Sequence, residues 1–285
     1  VKPSYITNSF LKQFIATALA EDVGDGDHSS IASIAETATG KARLLVKDDG
    51  ILAGVALAAE IFKQYDEKLE LQVSIQDGTP VKRGDIAFTV SGPTRSILTT
   101  ERLVLNCMQR MSGIATTTNR LVKLVEGTRA QLLDTRKTTP NFRLLEKWAV
   151  LLGGGQNHRI GLFDMIMLKD NHIDGAGGIE QAINRTKEYL RTSKKDLKVE
   201  IETRNLDEVR EVLRVGGVDV IMLDNMSLSD MKAAVALING LCKTEASGGI
   251  TEETIRQVAE CGVDYISVGA LTHSVKSLDL SLKMY

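Results

Sequence analysis

The sequence predicts an α/β barrel preceded by a smaller mixed α+β region. Three observations predict it. Beyond about residue 115, short apolar runs alternate with helical patterns at least six times, the rhythm of parallel strands covered by helices. No Gly-x-Gly-x-x-Gly turn accompanies these units, which favours a barrel over a nucleotide-binding Rossmann sheet. Gly-Val-Asp recurs before two of the strands, at Gly217-Val218-Asp219 and Gly262-Val263-Asp264, as helix-to-strand loops of barrels often do.

In the first region, Phe10 to Ala20 and Val55 to Tyr65 have the spacing of amphipathic helices. Ala42–Val46 and Leu69–Ile75 are rich in branched residues and read as strands. Asp77-Gly78-Thr79-Pro80 and Arg83-Gly84-Asp85 read as turns. Asp22, Asp25 and Asp27 lack the remaining ligands of a calcium loop, so an N-terminal turn is expected there. In the second region the strands are Gln131–Asp134, Met165–Leu168, Val199–Glu202, Val218–Leu223, Lys243–Ala246 and Tyr265–Val268. The helices are Phe142–Val150, Ile179–Tyr189, Leu206–Val215, Leu228–Ile238 and Glu252–Cys261. Domains are expected at 1–115 and 116–271, with a tail of about 272–285 packing back on the first.

Composition narrows the function. The 285 residues suffice for one large or two smaller domains, and 43% hydrophobic with 25% charged residues is an ordinary globular balance. A formal net charge of -2 argues against nucleic-acid or membrane partners recruited by bulk charge. Any local basic cluster is therefore not a by-product of a basic protein. No apolar run reaches the roughly 20 residues that cross a bilayer. Val1 to Phe14 lacks a signal-peptide pattern. Cys107, Cys242 and Cys261 form neither a metal pattern nor a disulfide framework, so a cytoplasmic, reducing setting is expected.

Barrels place their chemistry at the C-terminal ends of strands. Three sets of residues fall there. The first is cationic: Arg136, Lys137, His158, Arg159 and Lys169. Singly, each reads as a solvated or helix-terminal charge. Together they read as an anion site, because crowding cations costs repulsion unless an anion binds. The second set is Glu202 and Asp224, on neighbouring strands. Such a pair binds a divalent cation and sugar hydroxyls, or stabilises an oxocarbenium-like centre; it also fits structural ion pairs with the nearby cations. The third set is Ser247-Gly248-Gly249 and Gly269-Ala270, where backbone N–H groups can hold phosphate or glycines can serve tight turns. His172 and His273 read as structural.

Longer motifs carry a resemblance. Thr100-Glu101-Arg102, Leu105-Asn106, Gln109-Arg110 and Ser112-Gly113-Ile114-Ala115-Thr116 resemble the signature of the quinolinate phosphoribosyltransferase family. So do Asp134-Thr135-Arg136-Lys137-Thr138-Thr139-Pro140, Gly154-Gly155 with Asn157-His158-Arg159, Leu168-Lys169-Asp170-Asn171-His172, Leu223-Asp224-Asn225 and Ser247-Gly248-Gly249-Ile250. The resemblance implies an open TIM-like α/β barrel plus an N-terminal α/β sandwich domain. It implies conversion of quinolinate and phosphoribosyl pyrophosphate to nicotinate mononucleotide, pyrophosphate and carbon dioxide in NAD synthesis, with magnesium. It implies a homodimer, or a higher oligomer built from it, in which the sandwich covers the partner's barrel mouth and Arg102 serves the partner's site. Arg136, His158 and Arg159 would clamp the quinolinate carboxylates, and Lys137 and Lys169 would meet the pyrophosphate and substrate anions. Glu202 and Asp224 would hold the ribose hydroxyls, directly or through magnesium. Amides around Ser247, Gly248, Gly249, Gly269 and Ala270 would take up phosphate. His28-Ser29-Ser30 departs from the family pattern, away from these positions. Rivals are a nicotinate phosphoribosyltransferase or a molybdenum-linked paralogue, a Schiff-base aldolase using Lys169, and a non-catalytic phosphate-binding barrel.

Overall fold

A computed structural model describes residues 2–285. In chain order the elements begin α1 (Asn8–Val23), α2 (His28–Ser33), β1 (Thr39–Val46), β2 (Gly50–Ile51), α3 (Val55–Tyr65), β3 (Glu70–Val73), β4 (Pro80–Val81), β5 (Ile86–Pro93) and α4 (Thr94–Leu124). There follow β6 (Gln131–Leu133), α5 (Arg143–Leu152), β7 (Ile166–Leu168), α6 (Asp170–Ala176), α7 (Ile179–Ser193), β8 (Val199–Thr203) and α8 (Leu206–Val215). The last are β9 (Val220–Asp224), α9 (Leu228–Ile238), β10 (Lys243–Ser247), α10 (Ile255–Ala259), β11 (Tyr265–Ser267), α11 (Ala270–His273) and β12 (Leu280–Met284). They form two compact units. One takes the chain up to Asn119, Thr138–Gly154 and Leu271–Tyr285; the other takes Arg120–Lys137 and Gly155–Ala270. Thr138–Gly154, read from the sequence as part of the barrel, thus groups with the first unit.

The first unit is built on an antiparallel sheet of order β12-β1-β5-β3. Alternation along β1 turns Ala42, Leu44 and Val46 into the core. Leu44 stands opposite Phe88 of β5 and Leu282 of β12, so the tail supplies the sheet's outer strand. Phe62 of α3 meets Phe88 edge-on with centroids 5.9 Å apart, and α1 packs on α3. The Asp77-Gly78 turn does more than reverse the chain: the Asp77 carboxylate accepts the amides of Val55 at 2.8 Å and Ala56 at 3.1 Å, capping α3 from outside it. Asp27 similarly caps α2 by accepting Ser30 N at 3.0 Å, in keeping with a turn rather than a calcium loop.

Several of the resemblance motifs in α4 prove to be structural. Ser112 Oγ accepts Ala53 N at 2.9 Å and Thr116 Oγ1 accepts Ile51 N at 2.9 Å. Gln109 Nε2 donates to Leu280 O at 2.9 Å. Arg110 binds the fully buried Glu146 carboxylate at 2.8 Å and also donates to Thr272 O. These bonds tie α5 and the C-terminal segment to α4.

The second unit is an open α/β barrel whose six parallel strands run β6-β11-β10-β9-β8-β7. Gln156 bridges Leu133 and extends the sheet past β6. Val220 to Leu223 of β9 is a continuous buried run, as a strand covered on both faces requires. Helices α7, α8 and α9 pack successively. Asn205 caps α8 and Ser227 caps α9, which explains why both helices start where their apolar pattern does. The Gly-Val-Asp repeat acquires a physical meaning here. Asp219 Oδ2 accepts the Val199 amide at 2.7 Å, and Asp264 Oδ2 accepts the Thr244 amide at 3.0 Å. Each aspartate fastens the start of the neighbouring strand.

Candidate active site

The second unit brings most of the sequence-predicted site residues to the C-terminal ends of its strands. Just past β6, the fully buried Asp134 accepts His158 N at 2.9 Å and Asn157 Nδ2 at 2.6 Å. This fastens Asn157-His158-Arg159 beside the end of β6. Burial, and then the positive field of Arg136, hold the Arg159 guanidinium below its ordinary pKa, with Glu200 and Asp164 opposing. Two guanidinium groups that repel one another form an arrangement an anion relieves. Lys137 follows on an exposed turn, its amide bonded to Thr135 Oγ1 at 3.0 Å. Lys169 is exposed at the N-terminus of α6, where its amide donates to His172 Nδ1 at 3.0 Å. His172 is thus a capping residue.

His158 is buried and faces two buried glutamates. Its Nε2 lies 2.9 Å from Glu200 Oε2 and 3.4 Å from Glu245 Oε2. Its Nδ1 accepts the Arg159 amide at 2.6 Å. Burial pushes the imidazole pKa down, while the hydrogen bonds and charges of Glu200 and Glu245 push it up by favouring a proton on the Nε2 that faces them. Burial and the Glu245 charge push the Glu200 carboxyl up to about 7 against the pull of His158 and Arg159. A second ring proton would point from Nδ1 at the Arg159 N–H, so the amide contact and the imidazolium exclude one another. With the amide in place, the one ring proton sits on Nε2. Glu245 was not singled out from sequence. The signal was present: an acid inside an otherwise buried strand, two residues before Ser247.

The carboxylate pair lies one strand along. Glu202 on β8 and Asp224 at the end of β9 are close enough that, after burial, the Asp224 charge raises the Glu202 pKa; the Lys169 charge opposes it. Oε2 of Glu202 is buried without a hydrogen-bond partner. Asp224 Oδ2 accepts Asn225 Nδ2 at 2.7 Å, and Asn225 holds a left-handed φ of 51° with its amide on Ser247 O at 2.9 Å. Gly248 has φ 93°, and a Cβ there would lie 2.5 Å from Asn225 Cγ. The Asp224-Asn225 and Ser247-Gly248-Gly249 segments therefore interlock, and glycine is required at 248. Gly269 and Ala270 follow β11, with Ala270 opening the short α11. Arg102 lies in the first unit, exposed on α4.

Fold and site together define an α/β-barrel protein that gathers cations beside a carboxylate pair and a glycine-containing strand end. Residues 27–112 match the model of the quinolinate phosphoribosyl transferase N-terminal domain, and residues 114–283 match that of its C-terminal domain. The chain belongs to the quinolinate phosphoribosyltransferase family. A Nicotiana tabacum relative named quinolinate phosphoribosyltransferase [decarboxylating] 1b is 48% identical over 299 residues, covering 100% of this chain and 85% of its own. A Bacillus subtilis relative named probable nicotinate-nucleotide pyrophosphorylase [carboxylating] is 42% identical over 272 residues, covering 95% and 92%. The crystal structure of NadC from Streptococcus pyogenes superposes with a TM-score of 0.93 at 40% identity over 98% of each chain.

Proposed function

We propose that the protein transfers a phosphoribosyl group from phosphoribosyl pyrophosphate to quinolinate and releases carbon dioxide, giving nicotinate mononucleotide and pyrophosphate for NAD synthesis. The observation that carries this reading is the gathering, in one barrel of this family, of the Arg136–Arg159 pair with the Lys169–Glu202–Asp224 group. A dicarboxylate needs more cations than a monocarboxylate, which favours quinolinate over nicotinate.

In this reading Arg136 and Arg159 hold the quinolinate carboxylates, His158 supports the Arg159 backbone, and Lys137 and Lys169 meet the pyrophosphate and substrate anions. The pyridine nitrogen attacks the anomeric carbon while pyrophosphate leaves with its bonding electrons. Glu202 and Asp224 hold the ribose hydroxyls and favour the positive charge that develops there. Amides around Ser247, Gly248, Gly249, Gly269 and Ala270 take up phosphate. The ring nitrogen, now cationic, stabilises the electron pair left on the adjacent carbon when its carboxylate departs as carbon dioxide, and a proton then fills that position. The clamp favours this step when it grips the distal carboxylate and leaves the departing one desolvated.

The unpartnered, buried Oε2 of Glu202 beside Asp224 suits an oxygen-loving cation, so Glu202 and Asp224 are the residues that would hold magnesium, directly or through the ribose. Bound there, magnesium would supply positive charge to the pyrophosphate. The reading includes a homodimer in which the exposed Arg102 serves the partner's barrel. Among the described residues no helix is long and apolar enough to cross a membrane, and three free cysteines suit the reducing cytoplasm. Turnover assays with quinolinate and with nicotinate test the substrate: equal or better use of nicotinate would sink it. Mixing Arg102→Ala dimers with dimers dead at Lys137 tests the shared site, with partial recovery expected and none, once subunit exchange is verified, counting against it.

A further inference from the structure

The His158–Glu200–Glu245 cluster is larger than the reading above requires. Glu200 comes from β8 and Glu245 from β10, two strands apart in the sheet, yet both reach Nε2 of one imidazole. Both glutamates are no more than 1% exposed, and Oε1 of each is buried without a hydrogen-bond partner. Two ionisable side chains at the barrel's interior are costly to bury unless they hold something in place.

What they hold is legible in the bonds. Nε2 faces both carboxyl groups, so a proton carried there is shared with both. That leaves a lone pair on Nδ1, and it accepts the Arg159 amide. The same short segment is pinned from its other side, where Asp134 takes the His158 amide and the Asn157 side chain. Arg159 then donates from Nη1 to Met165 O at 3.3 Å. Both ring nitrogens of His158 are therefore engaged by the protein itself.

We propose, resting on the quinolinate reading, that Glu200 and Glu245 are positioning residues of the anion pocket. They hold His158 as the tautomer with its proton on Nε2, so that the Nδ1 lone pair fixes the Arg159 backbone and aims its guanidinium. His158 acts on the substrate through Arg159 rather than by touching it. The alternative use of this group is a metal site, since one ligand atom from each residue lies within 4.8 Å of the others. The 2.9 and 3.4 Å separations from Nε2 are already those of a forked N–H···O bond, which favours the proton.

Two measurements on the full-length protein test the proposal. Nitrogen-15 NMR of imidazole-labelled protein resolves four histidines, and His158→Asn assigns the ring in question. The expected state is Nε2 protonated with a bare Nδ1. An imidazolium, the opposite tautomer, or a stoichiometric transition metal that disappears in Glu245→Gln overturns the proposal. The second measurement is steady-state kinetics. The side-chain carbonyl introduced by His158→Asn can still accept the Arg159 amide, whereas His158→Ala leaves no acceptor. His158→Asn should keep the quinolinate KM within about threefold, and His158→Ala should raise it about tenfold, the worth of one hydrogen bond. The double variant Glu200→Gln, Glu245→Gln should also raise it about tenfold while leaving the KM for phosphoribosyl pyrophosphate within about twofold. Equal losses in His158→Asn and His158→Ala mean direct contact and overturn it. A wild-type protein that does not turn over quinolinate defeats the functional reading instead, and the NMR result still decides the ring.

Discussion

Gly248→Ala probes the junction between the carboxylate pair and the Ser247-Gly248-Gly249 loop proposed to take up phosphate. A methyl group at 248 faces two costs. The backbone sits at φ 93°, where a Cβ costs about 1–2 kcal/mol. The methyl would also lie 2.5 Å from Asn225 Cγ and 2.7 Å from Nδ2, so Asn225 must move. Asn225 is itself left-handed and bonded to Asp224 Oδ2, and losing that bond costs about 1 kcal/mol. The sum is about 2–3 kcal/mol, divided between global stability and the site. If about 1.4 kcal/mol falls on the site, the KM for phosphoribosyl pyrophosphate rises about tenfold. The remainder lowers the Tm by a few degrees, roughly 2–4 °C per kcal/mol for a protein of this size. The quinolinate KM should stay within about twofold, because the cation cluster lies on other strand ends. Gly249→Ala is the control: its Cβ would lie 4.0 Å from the nearest Asn225 atom, so only the φ of 59° opposes it. A folded Gly248→Ala protein with an unchanged KM for phosphoribosyl pyrophosphate, or one no worse than Gly249→Ala, would refute the interlock.

Glu202→Ala and Asp224→Ala should each lower kcat on the order of a hundredfold with a native thermal transition, as loss of a charge that stabilises the transition state requires; full activity in both would move the chemistry elsewhere. Asp264→Asn should destabilise the barrel by about 1–3 kcal/mol in urea titrations, because burial opposes the Asp264 charge but bonds from Lys243, Thr244 and Arg129 more than offset it. The sign follows: a carboxyl held below its ordinary pKa contributes stability above about pH 4 that is lost as pH falls through the folded value, so the variant's stability should flatten on the acid side. Cys107 is buried and its thiol is pushed up to about 12 by burial alone, so it should be the last cysteine to react with a thiol reagent at pH 8, after Cys242.

The parts of the fold that were legible share a cause. α3, α8 and α9 begin and end as their apolar spacing says, and the last two carry Asn205 and Ser227 as caps that satisfy the first free amides. The 31-residue α4 was not expected. Its threonines and Gly113 weaken the helical signal, and it spans the point where the texture of the sequence changes. Gly113 is tolerated mid-helix because a side chain there would strike the Lys276 carbonyl, a contact between distant parts of the chain that no local pattern reveals. The same limit applies at the site. Cations at strand ends could be read from spacing, since strand position implies them. That both His158 nitrogens are taken, and that Glu245 takes part, depends on the order of strands in the sheet. The Gly-Val-Asp repeat lay between these cases: visible as a pattern, but its bond to the next strand appeared only with the fold.

The outer strand β12 has a consequence for synthesis. Sheet order β12-β1-β5-β3 pairs β1 with β12, which lies beyond every strand of the barrel in the sequence. The first unit therefore cannot be completed as β1 emerges. Its sheet stays open at β1 until residue 284 is available, while every strand of the barrel has already been made. An unpaired β1 is an exposed edge for that interval, and edges invite pairing with other chains. Assembly should then run against the order of the sequence, barrel first and leading unit last.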